Sequence, residues 1–326
     1  MFKTKKIISD VGQKKEKYNI LTFNTHERYQ SQLAKTGHNF YSFNYDQGKD
    51  WYGEHAPLPD NHYQLPKGSV FSGIEFDFIF VQSKFGQFQT ASQINKTLQI
   101  PILNLEHTLP IANWPNQQLE MFRNMVGDVN VFITKYSQGQ WNINAPSQVI
   151  YHSIDAELFC PGKVEPKPQV LTVAHDFIKR DYALNYRGWE RVTNGLNRKV
   201  VGETDGLSKA AESVDDLVKQ YQESLVYINP SVLSPVPTSM LEAMACGCAV
   251  VSTATCEIPN IIEHGVNGFI TNDETDMRSY IEQLFANPDL AKKMGHAARQ
   301  TIKEKFSEER FINEWNNVFD KTYGVR

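Results

Sequence analysis

Thr238, Ser239 and Glu242 follow an apolar run that ends at Pro230 and a loop rich in Pro and Ser. Two hydroxyls and a carboxylate at the start of a short helix suit one task, the holding of a phosphate and of neighbouring hydroxyl groups. A helix N-terminus offers unpaired N–H donors and the positive end of the helix dipole. A carboxylate, having only acceptors to offer, fits adjacent hydroxyls. Ser239 followed by Glu242 also has the spacing of a capping box, so Glu242 carries two readings, hydroxyl binding and capping. The helix, residues 240–246, stops at Gly247, and the chain re-enters a strand at residues 249–252. Strand, loop, helix and strand in that order put Thr238, Ser239 and Glu242 at the carboxyl end of a parallel sheet, where open α/β sheets bind ligands.

The other groups with chemistry in them also stand at strand exits. His107 leaves the apolar run of residues 102–105 in the sequence Glu106-His107-Thr108, and His26 with Glu27 ends a first strand over residues 18–23. A histidine at such a place serves structure as readily as chemistry, and Glu27 has Arg28 beside it as an alternative partner. Residues 175–188 read HDFIKRDYALNYRG, which brings Lys179, Arg180 and Arg187 close to the first strand of a second α/β unit. Arginine's fork gives paired, charge-assisted donors to phosphate, and the same three residues equally suit a solvated helix face. Thr255, Cys256 and Glu257 follow the strand at 249–252 and are expected to face the same cleft. Asn267-Gly268 reads as a structural turn.

These groups need a scaffold, and the periodicity supplies one. Strands over residues 39–43, 76–82, 102–105, 130–134 and 148–151 alternate with helices over 29–36, 88–98, 117–125 and 136–141, which argues for a parallel sheet. Residues 45–69 are aromatic but poorly periodic and read as a long surface excursion. A stretch rich in Pro and Lys, residues 162–169, marks a domain boundary. Strands at 170–174, 199–202 and 224–228, with helix inside 207–220, build the second domain. Met277, Tyr280, Ile281 and Leu284 share a helix face, as do Leu290, Met294 and Ala297. Ser307 opens a last helix in which Phe311, Trp315 and Phe319 recur every four residues. The expected domains are residues 1–162, 163–305 and a terminal helix over 306–326.

Composition narrows the function. The chain has 326 residues, 40% of them hydrophobic and 21% charged, with a net charge of -4. Such a chain folds as ordinary globular domains and has no general attraction to nucleic acid or anionic membrane. Cys160, Cys246, Cys248 and Cys256 lack a zinc-finger spacing, so no metal site is expected from them. The leader MFKTKKIISDVGQKKEKY is basic but has no continuous apolar run, so neither a secretory signal nor a spanning helix is expected there. A cytoplasmic protein is the expectation, with peripheral membrane contact left open. No Gly-x-Gly-x-x-Gly follows the first strand, which disfavours a dehydrogenase.

The string LEAMACGCAVVST, followed by EIPNIIEHGVNGFI, resembles the nucleotide-sugar site of glycosyltransferase family 4. This retaining family includes sucrose-phosphate synthases, mannosyltransferases and bacterial cell-surface sugar transferases. His152-Ser153-Ile154-Asp155, with Phe159 and Pro161, is similar to the segment that ends the family's first domain, with His152-Ser153 where Asn-Gly is usual. The resemblance implies the GT-B architecture, two Rossmann-like domains whose parallel sheets face a cleft, with the last helix crossing back to the first domain. It implies transfer of a sugar from a nucleoside diphosphate, UDP and GDP not being distinguished, to an acceptor hydroxyl. No tightly bound cofactor is implied, and the lack of an Asp-x-Asp motif favours a reaction without metal.

By the same resemblance Glu242 meets the donor ribose and His107 the transferred sugar. Lys179, Arg180 and Arg187 neutralise the diphosphate beside Thr238 and Ser239, and His26 contacts donor or acceptor. The family usually carries two glutamates with seven residues between them. Glu242 matches the second, and the first falls on Ser234. A short neutral hydroxyl there predicts a gap in the pocket, altered donor choice or weaker catalysis. Two alternatives stay open. One is a catalytically weak sugar-nucleotide-binding or structural protein of this fold. The other is a transferase acting on DNA bases, against which the acidic balance and the lack of a long Lys/Arg stripe weigh.

Overall fold

The computed structural model describes residues 14–44, 50–53, 56–67, 73–111 and 113–325. The leader and parts of the excursion over 45–69 therefore lie outside the described residues. The chain forms two compact units, one of residues 1–152 with 309–326 and the other of residues 153–308.

The first unit runs β1 (Asn19–Thr22), α1 (Glu27–Ala34), β2 (Asn39–Ser42), β3 (His62–Gln64), β4 (Phe78–Val81), α2 (Gln87–Leu98), β5 (Ile102–Glu106), α3 (Asn116–Arg123), β6 (Val129–Phe132), α4 (Lys135–Trp141) and β7 (Ser147–Val149). The second runs β8 (Lys167–Val173), α5 (Asp181–Leu184), α6 (Tyr186–Thr193), β9 (Arg198–Val201), α7 (Val214–Gln222), β10 (Ser224–Asn229), α8 (Thr238–Ala245), β11 (Ala249–Ser252), α9 (Ile258–Ile261), β12 (Phe269–Ile270), α10 (Glu274–Ala286) and α11 (Pro288–Lys305). The last helix, α12 (Glu308–Tyr323), packs with the first unit.

The first sheet has the order β3-β2-β1-β4-β5-β6-β7 and the second β12-β11-β10-β8-β9, and every strand pair is parallel. Strands covered on both faces need no polar alternation. Accordingly β4, β5, β6, β10 and β11 are buried at every position. In each sheet the strand order reverses once, between β1 and β4 in the first and between β8 and β10 in the second. Those two places are the switch points at which a crevice opens beyond the carboxyl ends of the strands.

The aromatic run of α12 is fully buried at Phe311, Trp315 and Phe319. Trp315 lies 5.4 Å from Phe80, and Phe319 lies 5.6 Å from Phe78, so the helix closes one face of the first sheet. In the second unit Gly247 ends α8 with φ of 82°, and α11 presses against it there. A methyl group on Gly295 would stand 1.9 Å from the Gly247 carbonyl oxygen, so only glycine lets these backbones meet.

Two sequence expectations need correction. Residues 45–69 are not all excursion, since His62–Gln64 adds β3 to the edge of the first sheet, with Phe40 opposite His62. Segment 153–162, read as the end of the first domain, belongs to the second unit. There Arg299 donates to the carbonyls of Ala156 and Phe159 at 2.9 and 3.0 Å, which ties the segment to α11.

Candidate functional site

In the second unit the start of α8 lies at the switch point. Ser239 donates its hydroxyl to the carbonyl of Val173, the last residue of β8, at 3.2 Å, and accepts from the Tyr227 hydroxyl at 2.8 Å. A helix that follows β10 is thus fixed to the end of β8, the strand on the other side of the reversal. Thr238 is exposed, while Ser239 and Ser234 are half-buried.

The capping box does not form. Pro237 occupies the N-cap and offers no side-chain bond, which puts Ser239 inside the first turn. Tyr227 and Val173 claim its hydroxyl, and the Glu242 carboxylate turns inward, where it accepts from the Tyr221 hydroxyl at 2.9 Å. Glu242 is 3% exposed, and Tyr221 is fully buried. Burial, then the neighbouring carboxylate, pushes the Tyr221 phenol well above its ordinary range, so it stays a hydrogen-bond donor.

The three cations stand on the exposed loop and helices after β8. Lys179 lies 3.4 Å from Asp176 and 3.3 Å from Asp205, and Arg187 lies 3.6 Å from Asp181. Exposed pairs of this kind are worth about 0–1 kcal/mol, so a diphosphate can displace the carboxylates at little cost. Arg180 is exposed, and its guanidinium has no partner among the described residues. Glu257, expected to face the cleft, is instead fully buried, with Asn260 donating to its carboxylate at 3.1 Å.

In the first unit the strand exits bring three imidazoles together. The rings of His26 and His107 are 4.7 Å apart, and His152, which leaves β7, stacks over His107 at 6.3 Å. Tyr29 stands edge-on to both, 4.7 Å from His107 and 5.2 Å from His152. His107 Nε2 is shielded from solvent and has no partner among the described residues. Glu106 fixes the turn behind it by accepting from the Thr108 N–H at 2.9 Å and the Thr108 hydroxyl at 2.6 Å. Burial pushes the Glu106 carboxyl up and the neighbouring Lys84 down to about 8. Glu27, weighed against Arg28, accepts the backbone N–H groups of Tyr52 and Gly53 at 2.7 and 3.1 Å. In sequence His152 reads as a departure from a pattern, and Tyr29 reads only as the start of a helix. Their position at or just after the same sheet edge was the signal available.

Burial holds the histidines neutral, and this fixes how stability responds to acid. It lowers His107 well below the ordinary histidine range, with His26 and His152 adding to the effect. Burial, followed by His26 and Arg310, lowers His152 to about 4, and burial alone lowers His62 to about 4. An unfolded histidine takes its proton near 6.5, so between those values the unfolded chain binds more protons. Stability should be full above about pH 6.5 and fall by about 2 kcal/mol for each of His62 and His152 by about pH 5. Urea melts at the two pH values check this, and His62→Gln should remove its share of the loss.

Among the described residues no cluster of His, Cys, Asp and Glu has the arrangement of a metal site, and no helix is long and apolar enough to cross a membrane. The family described as "Glycosyl transferases group 1" matches residues 209–301, the stretch from before α7 into α11. The chain is 32% identical over 82 residues to an N-acetyl-alpha-D-glucosaminyl L-malate synthase of Bacillus anthracis, covering 24% of this chain and 22% of that protein. It is 27% identical over 178 residues to an uncharacterized glycosyltransferase of Haemophilus influenzae, covering 48% and 50%. The matches thus span half or less of these curated relatives. A crystal structure of Anabaena Alr3699/HepE in complex with UDP and glucose superposes with a TM-score of 0.71 at 14% identity, over 93% of this chain and all of that one. The chain has the GT-B fold and is related in its second unit to glycosyltransferases.

Proposed function

We propose that this protein is a retaining, metal-independent glycosyltransferase of family 4 type, which moves a hexose from a nucleoside-diphosphate sugar to an acceptor hydroxyl. The observation that carries the reading is the seating of α8, whose Ser239 is bonded to the end of β8 at the switch point of the second sheet. Its N-terminus and exposed Thr238 offer donors to the diphosphate, and Arg180, Arg187 and Lys179 balance the charge that builds on the leaving phosphate. Glu242 serves the ribose hydroxyls, and His107, with His26, meets the sugar. Retention places the acceptor on the leaving-group face, where the departing phosphate takes its proton. All four cysteines are free thiols, as suits a cytoplasmic protein.

Calorimetric titration of the purified protein with UDP, GDP and ADP and their sugar conjugates tests this reading. Selective binding of one nucleotide class, unchanged by chelator, is expected. UDP is the first to try, because the Anabaena neighbour was solved with UDP and glucose. A folded protein that binds none of them sinks the proposal.

Ser234 favours a second reading, a nucleotide-sugar binder with weak turnover. Ser234→Glu separates the two. If the serine limits a working transferase, the variant should raise kcat about tenfold with little change in nucleotide affinity. In a pure binder, turnover stays at background in both proteins.

A further inference from the structure

We propose that α12 is a positioning element of the histidine cluster, and that His152 and Tyr29 are positioning residues for His107. The inference rests on reading His107 as the group that meets the transferred sugar. It adds what holds that ring and from where.

His107 has three aromatic walls, and two of them end on α12. Tyr29 belongs to α1, but its hydroxyl accepts from Trp315 Nε1 at 3.1 Å. His152 leaves β7, and its carbonyl accepts from the Arg310 fork at 2.8 Å, beside the Tyr151 carbonyl at 3.0 Å. Glu314, one turn further along α12, takes the other Arg310 nitrogen at 2.5 Å and sets the fork's direction. Phe311 backs the assembly, 5.4 Å from the Tyr29 ring. The third wall, His26, follows β1 and caps α1, where its N–H donates to the Gln30 side chain at 3.2 Å.

Burying Phe311, Trp315 and Phe319 accounts for the docking of α12, and that task needs no polar atoms. The indole N–H and the guanidinium fork do something further. The indole N–H holds the Tyr29 hydroxyl and with it the ring, while Arg310 Nη2 holds the backbone of residues 151–152 from which the His152 ring projects. Tyr29 meets both imidazoles at close to right angles, 90° and 81°, the edge-to-face geometry in which a small tilt changes the contact. The near-parallel stack of His152 on His107, at 18°, has the same sensitivity.

A fixed cage that shields Nε2 of the half-buried His107 keeps the ring neutral and in one orientation, so that it meets a sugar hydroxyl without reorganisation. The titratable and charged groups around it are His26 from β1, Tyr29 from α1, Glu106 from its own strand, His152 from β7, and Arg310 with Glu314 from α12. Burial sets the direction of the His107 shift, and His26 and His152 reinforce it.

The test is an NMR titration of the full chain carrying 13C-labelled histidine, with His107 assigned by His107→Asn. Arg310→Lys keeps the charge and loses the fork, Trp315→Phe keeps the ring and loses the N–H, and His152→Asn removes one wall. In the wild type the His107 resonance should stay that of a neutral ring as the pH falls through the ordinary histidine range. Arg310→Lys and His152→Asn should raise its midpoint toward the ordinary histidine value as water enters the cage, and Trp315→Phe should raise it less. Thermal melts confirm folding, and UDP affinity should stay within about twofold, since these residues belong to the other unit.

Folded variants in which the His107 midpoint does not move would overturn the proposal and leave α12 as packing only. A wild-type His107 that titrates near 6.5 would also overturn it. His152→Asn keeps the test open if a helix variant fails to fold, because it leaves α12 intact. The His107 readout needs no substrate. If no nucleotide binds the wild type while His107 responds as expected, the transferase reading fails and the positioning role stands.

Discussion

Glu242→Ala should weaken binding of the preferred nucleoside diphosphate at least about a hundredfold and lower stability by about 2–3 kcal/mol. The two effects have separate causes. On the proposed reading the Glu242 carboxylate oxygen not taken by Tyr221 accepts from the ribose hydroxyls, and its removal accounts for the binding loss. The stability loss comes from Tyr221, whose buried hydroxyl gives Glu242 its hydrogen bond at 2.9 Å and would be left without that acceptor. Tyr221→Phe separates them. It deletes the donor while Glu242 remains, so it should cost about 1 kcal/mol of stability and leave nucleotide affinity within about threefold. Should Glu242 serve only as an internal anchor, the folded fraction of Glu242→Ala would bind nucleotide as the wild type does. Calorimetry beside urea melts on the three proteins reads both quantities. Glu242→Gln sharpens the result, since an amide still accepts from Tyr221 but replaces one acceptor oxygen with a donor.

The elements that position these groups were legible where burial is continuous. The largely apolar β10 and β11, with a short helix between them stopped by Gly247, gave a parallel unit from residue types alone. The four-residue recurrence of Phe311, Trp315 and Phe319 gave α12 as a buried face. Where distant side chains compete for a local group, the sequence misled. Ser239 and Glu242 have the capping-box spacing, yet Tyr227 from β10 takes the serine and Tyr221 from α7 takes the glutamate. Nothing within four residues announces either partner. Glu257 reads as a cleft carboxylate from its place after β11, but the residue is fully buried and its carboxylate accepts from Asn260.

Strand β3 was missed for a related reason. Three residues between loops have no periodicity of their own, and their strand character comes from pairing with β2, as in Phe40 opposite His62. The convergence of His26, His107 and His152 is a property of strand order. Each residue was visible near a strand exit, but the parallel sheet is what sets those exits along one end, with β4 between β1 and β5 and β6 between β5 and β7. Tyr29 gave still less warning, because a buried tyrosine in a first helix turn looks like ordinary core until its neighbours are known.

His107→Asn should lower kcat about a hundredfold or more while leaving the KM for the donor within about threefold, once the donor is known. The asymmetry follows from position. The groups proposed to hold the nucleotide belong to the second unit, whereas His107 belongs to the first and is proposed to meet the sugar, where charge develops in the transition state. The pH profile gives an independent check. Burial lowers the His107 pKa, so the neutral ring persists below the ordinary histidine range. Turnover by the folded protein should therefore hold as the pH falls through about 6.5 and decline only well below it, whereas an exposed histidine would lose its neutral form near 6.5. Folding stability declines over that same window through His62 and His152, so rates must be corrected by melts at each pH. A kcat limb centred near 6.5 in fully folded protein would place the working ring in water and rule out the half-buried His107 as its source. His107→Gln supplies the last discrimination. Its amide offers one donor and one acceptor at similar reach, so part of the rate should return if His107 works by hydrogen bonding to the sugar. None should return if the imidazole must carry the charge itself.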